Sequence, residues 1–94
     1  MTFEQLAQEV AKDFNEVIRE QGFGTFARMK KSYCWDAQDV KEEVEETISA
    51  LASKRYNGGE FADFWMADDF SFVQIGFDDM SWCEFKKLLF KYLD

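Results

Sequence analysis

The 94 residues carry 19 Asp and Glu against 11 Lys and Arg, a net charge of −8, with 11 Phe, 3 Trp, 3 Tyr, no Pro and no His. That length allows one domain, residues 1–94, and the aromatic content supplies the core a short chain needs, since each buried ring removes roughly 150–250 Å² from water. Without histidine the commonest general base and metal ligand is missing. The acidity opposes direct binding to nucleic acid or to an anionic membrane. Two isolated cysteines, Cys34 and Cys83, make neither a secreted disulfide framework nor a zinc site. They are expected to be buried, reduced thiols. The opening "MTFEQLAQEV" has no basic leader and no apolar run, so no signal peptide is expected. A cytoplasmic location is expected.

In chain order, residues 2–21 read as a helix. Phe3, Leu6, Ala7, Val10, Phe14, Val17 and Ile18 recur at the spacing of one buried face. Thr2 with Gln5 makes a capping box, and Gly22 stops the helix. Residues 25–34, "TFARMKKSYC", read as a short helix capped by Thr25 with Phe26, Met29 and Tyr33 inward, although the stretch also alternates as a strand. Residues 36–56 form a further helix with Ala37, Val40, Val44, Ile48 and Leu51 as its buried stripe. Asp36 caps it with Asp39 at N3, and Trp35 and Val40 fill the staple positions.

Residues 60–77 read as a hairpin turning at Asp68-Asp69, with at least a strand at 70–77, because "SFVQIGF" is rich in strand formers. A bulge at 72–73 would reconcile Phe70 and Phe72 with Val73 and Ile75, and most of the aromatic side chains from Phe61 to Phe77 are expected in the core. Residues 81–93 read as the last helix, with a Ser81–Glu84 capping box and Trp82, Phe85, Leu88, Leu89 and Tyr92 along one side. The expected architecture is a mainly helical α+β fold, three or four helices packed on a small antiparallel hairpin or sheet.

The charge is uneven. Residues 36–79 hold 12 acids and 3 bases, and the rest of the chain holds 7 acids and 8 bases. On a helical wheel Asp39, Glu42, Glu43 and Glu46 fall into one column, and Glu9, Asp13, Glu16 and Glu20 into another. Like charges one turn apart cost about 0.2–0.5 kcal/mol per pair. The bland reading is two solvated faces that keep the chain soluble. The functional reading is a partner-binding surface for a basic protein, spaced on the scale of nucleic-acid phosphates.

The other candidates have simpler explanations. Asp68-Asp69 and Asp78-Asp79 suit a turn and the approach to a helix better than a cation site, and neither matches an EF-hand loop. "GFGTF" lacks the remainder of a phosphate loop. Arg28, Lys30 and Lys31 are expected to pair with the acidic middle of the chain. No serine or threonine has a histidine to activate it. The sequence therefore points to a non-enzymatic, cofactor-free, acidic binding protein. Its favoured version is a phage- or mobile-element-encoded inhibitor that copies nucleic-acid charge on a basic, nucleic-acid-binding target. The alternative is a structural or adaptor domain that self-associates, as a homodimer, through an aromatic face.

Overall fold

The computed structural model describes residues 2–54, 64–66 and 72–94. Its elements are α1 (Phe3–Gln21), α2 (Phe26–Ser32), α3 (Ala37–Lys54), β1 (Phe64–Met66), β2 (Phe72–Ile75), β3 (Asp78–Ser81) and α4 (Trp82–Tyr92). This is the mainly helical α+β arrangement expected, with a three-stranded antiparallel meander in the order β1-β2-β3. Helix α1 packs against α2, α3 and α4, while α3 meets β1, and α4 meets β2 and β3.

The helix ends follow from the residues at them. Thr2 Oγ1 accepts from the Gln5 amide while Gln5 Oε1 accepts from the Thr2 amide, so two otherwise unpaired donors of α1 are satisfied. Gly22 takes a left-handed φ of 71°, and Phe23 N–H donates back to Ile18 O, which closes the helix. Thr25 Oγ1 accepts from the Arg28 amide and starts α2, so 25–34 is helical rather than extended. For α3, Asp36 Oδ1 accepts from the Asp39 amide at 2.9 Å and Asp39 Oδ2 accepts from the Asp36 amide at 3.0 Å. The Asp39 amide holds the Asp36 carboxyl below its usual range.

The core is built mainly from the apolar stripes. Leu6, Ala7, Val10, Ala11, Phe14 and Ile18 of α1 meet Val40, Val44 and Ile48 of α3 and Trp82, Phe85 and Leu89 of α4, with Phe26 and Met29 of α2 and Val73 of β2. Each of the larger aliphatic and phenylalanine side chains, fully buried, contributes about 1.5–3 kcal/mol. Three stripe positions depart from expectation. Val17 is 37% exposed and Tyr33 is 44% exposed, because both stand at the open edge of a groove, and Ala37 is exposed at the first position of α3. The side chain of Leu51 lies outside the described residues.

The expected hairpin is present as the β1–β2 pair, in the register Phe64↔Ile75, Trp65↔Gln74 and Met66↔Val73. Its turn at Asp68-Asp69 lies outside the described residues. β2 then pairs residue for residue with β3, from Phe72↔Ser81 to Ile75↔Asp78, so the ladder contains no bulge at 72–73. Asp78-Asp79 belong to this third strand rather than to a helix approach. The connecting turn is Gly76-Phe77, with φ +58° at the glycine, the residue a two-residue hairpin prefers at its first central position. Phe77 therefore sits at a turn tip and is fully exposed, at 103%, instead of entering the core. Ser81 ends β3 and also caps α4, its Oγ accepting from the Glu84 amide.

The end of α4 is fastened to the other helices. Asn15 Nδ2 donates to Tyr92 O, Asn15 Oδ1 accepts from the Asp94 amide, and Phe26 N–H donates to Asp94 O, with distances of 2.9–3.0 Å. Tyr92 Oη donates to the Glu4 carboxylate, and Lys91 lies 3.7 Å from the same group. Both lower the Glu4 pKa, the hydrogen bond more than the charge.

Candidate functional site

The two acidic columns are turned to the surface in different degrees. On α1, Glu16 and Glu20 are exposed while Glu9 and Asp13 are half-buried; on α3, Glu42 and Glu46 are exposed while Asp39 and Glu43 are half-buried. Among the described residues the one ion pair joins Lys91 to Glu4, so no lysine or arginine there neutralises a column. Asp39 has an internal task in the cap of α3, and Glu42 accepts a long hydrogen bond from Gln38 at 3.4 Å.

The columns converge on an open groove of about 540 Å³ between α1, α2 and α3. Asp13 and Val17 form one rim, Glu43 and Thr47 the other, and Phe14, Met29, Tyr33 and Trp35 line the rest. Glu9, Glu16, Glu20, Asp39, Glu42 and Glu46 are not among its lining residues. The aromatic end depends on how α2 stops. Cys34 adopts a left-handed φ of 56°, and Trp35 N–H donates back to Lys30 O at 2.9 Å. That reversal sets the Tyr33 and Trp35 rings 5.2 Å apart, with Phe23 edge-on to Tyr33 at 5.3 Å.

Of the two rim carboxylates, Glu43 is perturbed by its surroundings. Partial burial raises the Glu43 pKa, and the neighbouring Glu46 raises it further. A carboxylate so placed gains most from a cation. The flat faces of Tyr33 and Trp35 attract the same kind of ligand, since cations sit favourably over aromatic rings. Acidic rims beside an aromatic wall therefore match a guanidinium or ammonium group on an apolar stem.

Sequence periodicity located both columns but not the aromatic wall, because it read Tyr33 as an inward residue and Trp35 as a helix staple. The "SYCW" run after a short amphipathic helix is the signal that marks it. Two other expectations are corrected. Both cysteines are exposed and free. Cys34 is carried outward by its left-handed backbone, and Cys83 lies on the exposed side of the first turn of α4. Arg28, Lys30 and Lys31 do not pair with the acidic segment, since none of them joins an ion pair among the described residues.

Comparison of the chain with family models, with curated proteins and with solved structures found no match in any of the three. Among the described residues no helix is long and apolar enough to cross a membrane. No group of three or more Cys, Asp or Glu is placed there to hold a metal ion.

Proposed function

We propose that the α1/α3 face is a docking surface for a basic protein and that the chain acts as a non-catalytic binding module. Its favoured target is a nucleic-acid-binding protein whose cationic groove accepts carboxylate columns in place of phosphates. The observation that carries this reading is the meeting of two unneutralised columns at Asp13 and Glu43, beside the wall of exposed Tyr33 and half-buried Trp35. In this arrangement an arginine of the partner enters the groove, its stem along Val17 and its guanidinium between the rims.

The test uses an arginine-rich helical peptide and a charge-matched pair of variants. Asp13→Asn, Glu16→Gln, Glu42→Gln and Glu46→Gln together neutralise four column carboxylates. Asp78→Asn, Asp79→Asn, Glu84→Gln and Asp94→Asn neutralise four elsewhere, so both variants carry a net charge of −4 against −8. Calorimetric titration at increasing salt is expected to show steep weakening for the unmodified chain. The column variant loses about tenfold or more, and the control variant loses far less. Equal losses in both variants, or an affinity flat in salt, reject the reading.

A second reading is favoured by Phe77, whose ring stands fully exposed at the β2–β3 turn. In it the chain self-associates through aromatic contacts. A dimer in sedimentation that persists in high salt and dissociates on Phe77→Ser supports that reading instead.

A further inference from the structure

A second groove, of about 400 Å³, opens where α2, α3 and α4 meet. Its volume lies within the range of small-molecule sites, about 300–1,000 Å³. Half-buried Trp35 and exposed Phe90 give it apolar aromatic walls, with buried Trp82 at its floor, and Lys30, Lys41 and Lys86 line it from three different helices. These three lysines are half-buried, whereas Lys12, Lys31, Lys87 and Lys91 are exposed. None of the three joins an ion pair among the described residues, in a chain with 19 carboxylates to choose from. Among the described residues one carboxylate lines the groove, that of Asp36, and it is occupied as the cap of α3 through its bond from the Asp39 amide.

Removing part of a cation's hydration shell without setting an anion opposite it is unfavourable. One such lysine is unremarkable on a surface. Three that converge from separate helices, against one carboxylate already engaged, leave a local excess of positive charge inside an otherwise negative molecule.

We propose that this groove binds a small planar aromatic anion, its ring against Trp35 and Phe90 and its charged group held by Lys30, Lys41 and Lys86. Flat rings stack on indoles without demanding a particular pattern of hydrogen bonds. Lysines recognise carboxylate and phosphate alike as point charges. The ligand class is therefore an aryl carboxylate or an aryl-bearing phosphate such as a nucleotide.

The two sources are separated by titrating the full chain with 1-naphthoate and with adenosine 5′-monophosphate. Their counterparts, 1-naphthalenemethanol, adenosine and inorganic phosphate, each lack one half of the recognition. Tryptophan fluorescence reads binding. Alkylation by iodoacetamide reads location, because Cys83 is exposed and lines this groove while Cys34 is exposed and does not. At least one of the two anions is expected to bind saturably and to protect Cys83 but not Cys34. Its neutral or ring-free counterparts bind about tenfold or more weakly. Lys30→Gln, Lys41→Gln and Lys86→Gln together abolish the protection while the melting temperature stays within a few degrees; with only half-buried sites altered, the fold is retained. Each single lysine variant loses a part of the affinity, which keeps the test decisive if the triple variant is unstable. Absence of saturable binding by both anions up to about 10 mM, neutral counterparts that bind equally well, or protection that survives loss of the lysines overturns the proposal.

Discussion

Replacing Glu43 by Gln tests the electrostatics of the α1/α3 face directly. Glu43 has two like-charged neighbours on its own helix, Asp39 one turn before it and Glu46 three residues after. Each such pair opposes the helix by about 0.2–0.5 kcal/mol, so neutralising Glu43 removes about 0.4–1 kcal/mol of repulsion. Glu43 is half-buried rather than enclosed, so water screens both contacts and no larger figure applies. Gln and Glu have nearly the same helix propensity, and the bond from the Thr47 hydroxyl to Glu43 uses the backbone carbonyl, which the substitution leaves in place. The variant is therefore expected to be more stable at pH 7, with a midpoint about 2–8 °C higher for a domain of this size. The gain depends on pH in a defined direction. Burial raises the Glu43 pKa above its ordinary 4.5, so the folded chain holds this proton more tightly than the unfolded chain. The unmodified protein then gains stability as pH falls through the raised pKa towards 4.5, and the advantage of the variant shrinks over the same interval. Denaturant melts by circular dichroism at pH 7, 6, 5 and 4 measure both effects. A variant no more stable than its parent at pH 7, or an advantage that widens on acidification, refutes the reasoning.

Three further substitutions probe the framework. Tyr92→Phe removes the largest influence lowering the Glu4 pKa, so that carboxyl should titrate nearer its ordinary value by carbon-detected NMR; the stability that Glu4 supplies above pH 4.5 and loses as pH falls through its lowered pKa should diminish with it. Asn15→Ala deletes two hydrogen bonds to the end of α4 and should cost about 1–2 kcal/mol in a denaturant melt, with Asn15→Asp intermediate because it keeps the acceptor. Gly22→Ala meets no atom within 4 Å of the added methyl, yet the left-handed φ of 71° should still cost about 1 kcal/mol, and Gly22→Asn should recover part of it.

The helices were legible because local chemistry and tertiary packing agree in them. Thr2, Thr25, Asp36 and Ser81 all cap as their spacing implies, and the stripes of α1, α3 and α4 largely find the core. β3 was not legible, since "DDMS" has little intrinsic strand preference. Its pairing is imposed by β2 through the Gly76-Phe77 turn, a non-local cause. Phe77 reads as a core residue for the same reason, because continuing the alternation of Val73 and Ile75 ignores the turn that exposes it. The columns of carboxylates could be drawn on a wheel, but their convergence on Asp13 and Glu43 depends on how α1 packs against α3. The second groove was less visible still. Lys30, Lys41 and Lys86 lie far apart along the chain, and nothing local distinguishes them from lysines that remain in water.

Trp35 lines the groove with acidic rims and also the groove with three lysines. One indole is thus a party wall between compartments of opposite electrical sign. Were a guest on one side to tilt that ring, it would reshape the neighbouring compartment as well, and the influence of the first guest on the second would then equal that of the second on the first.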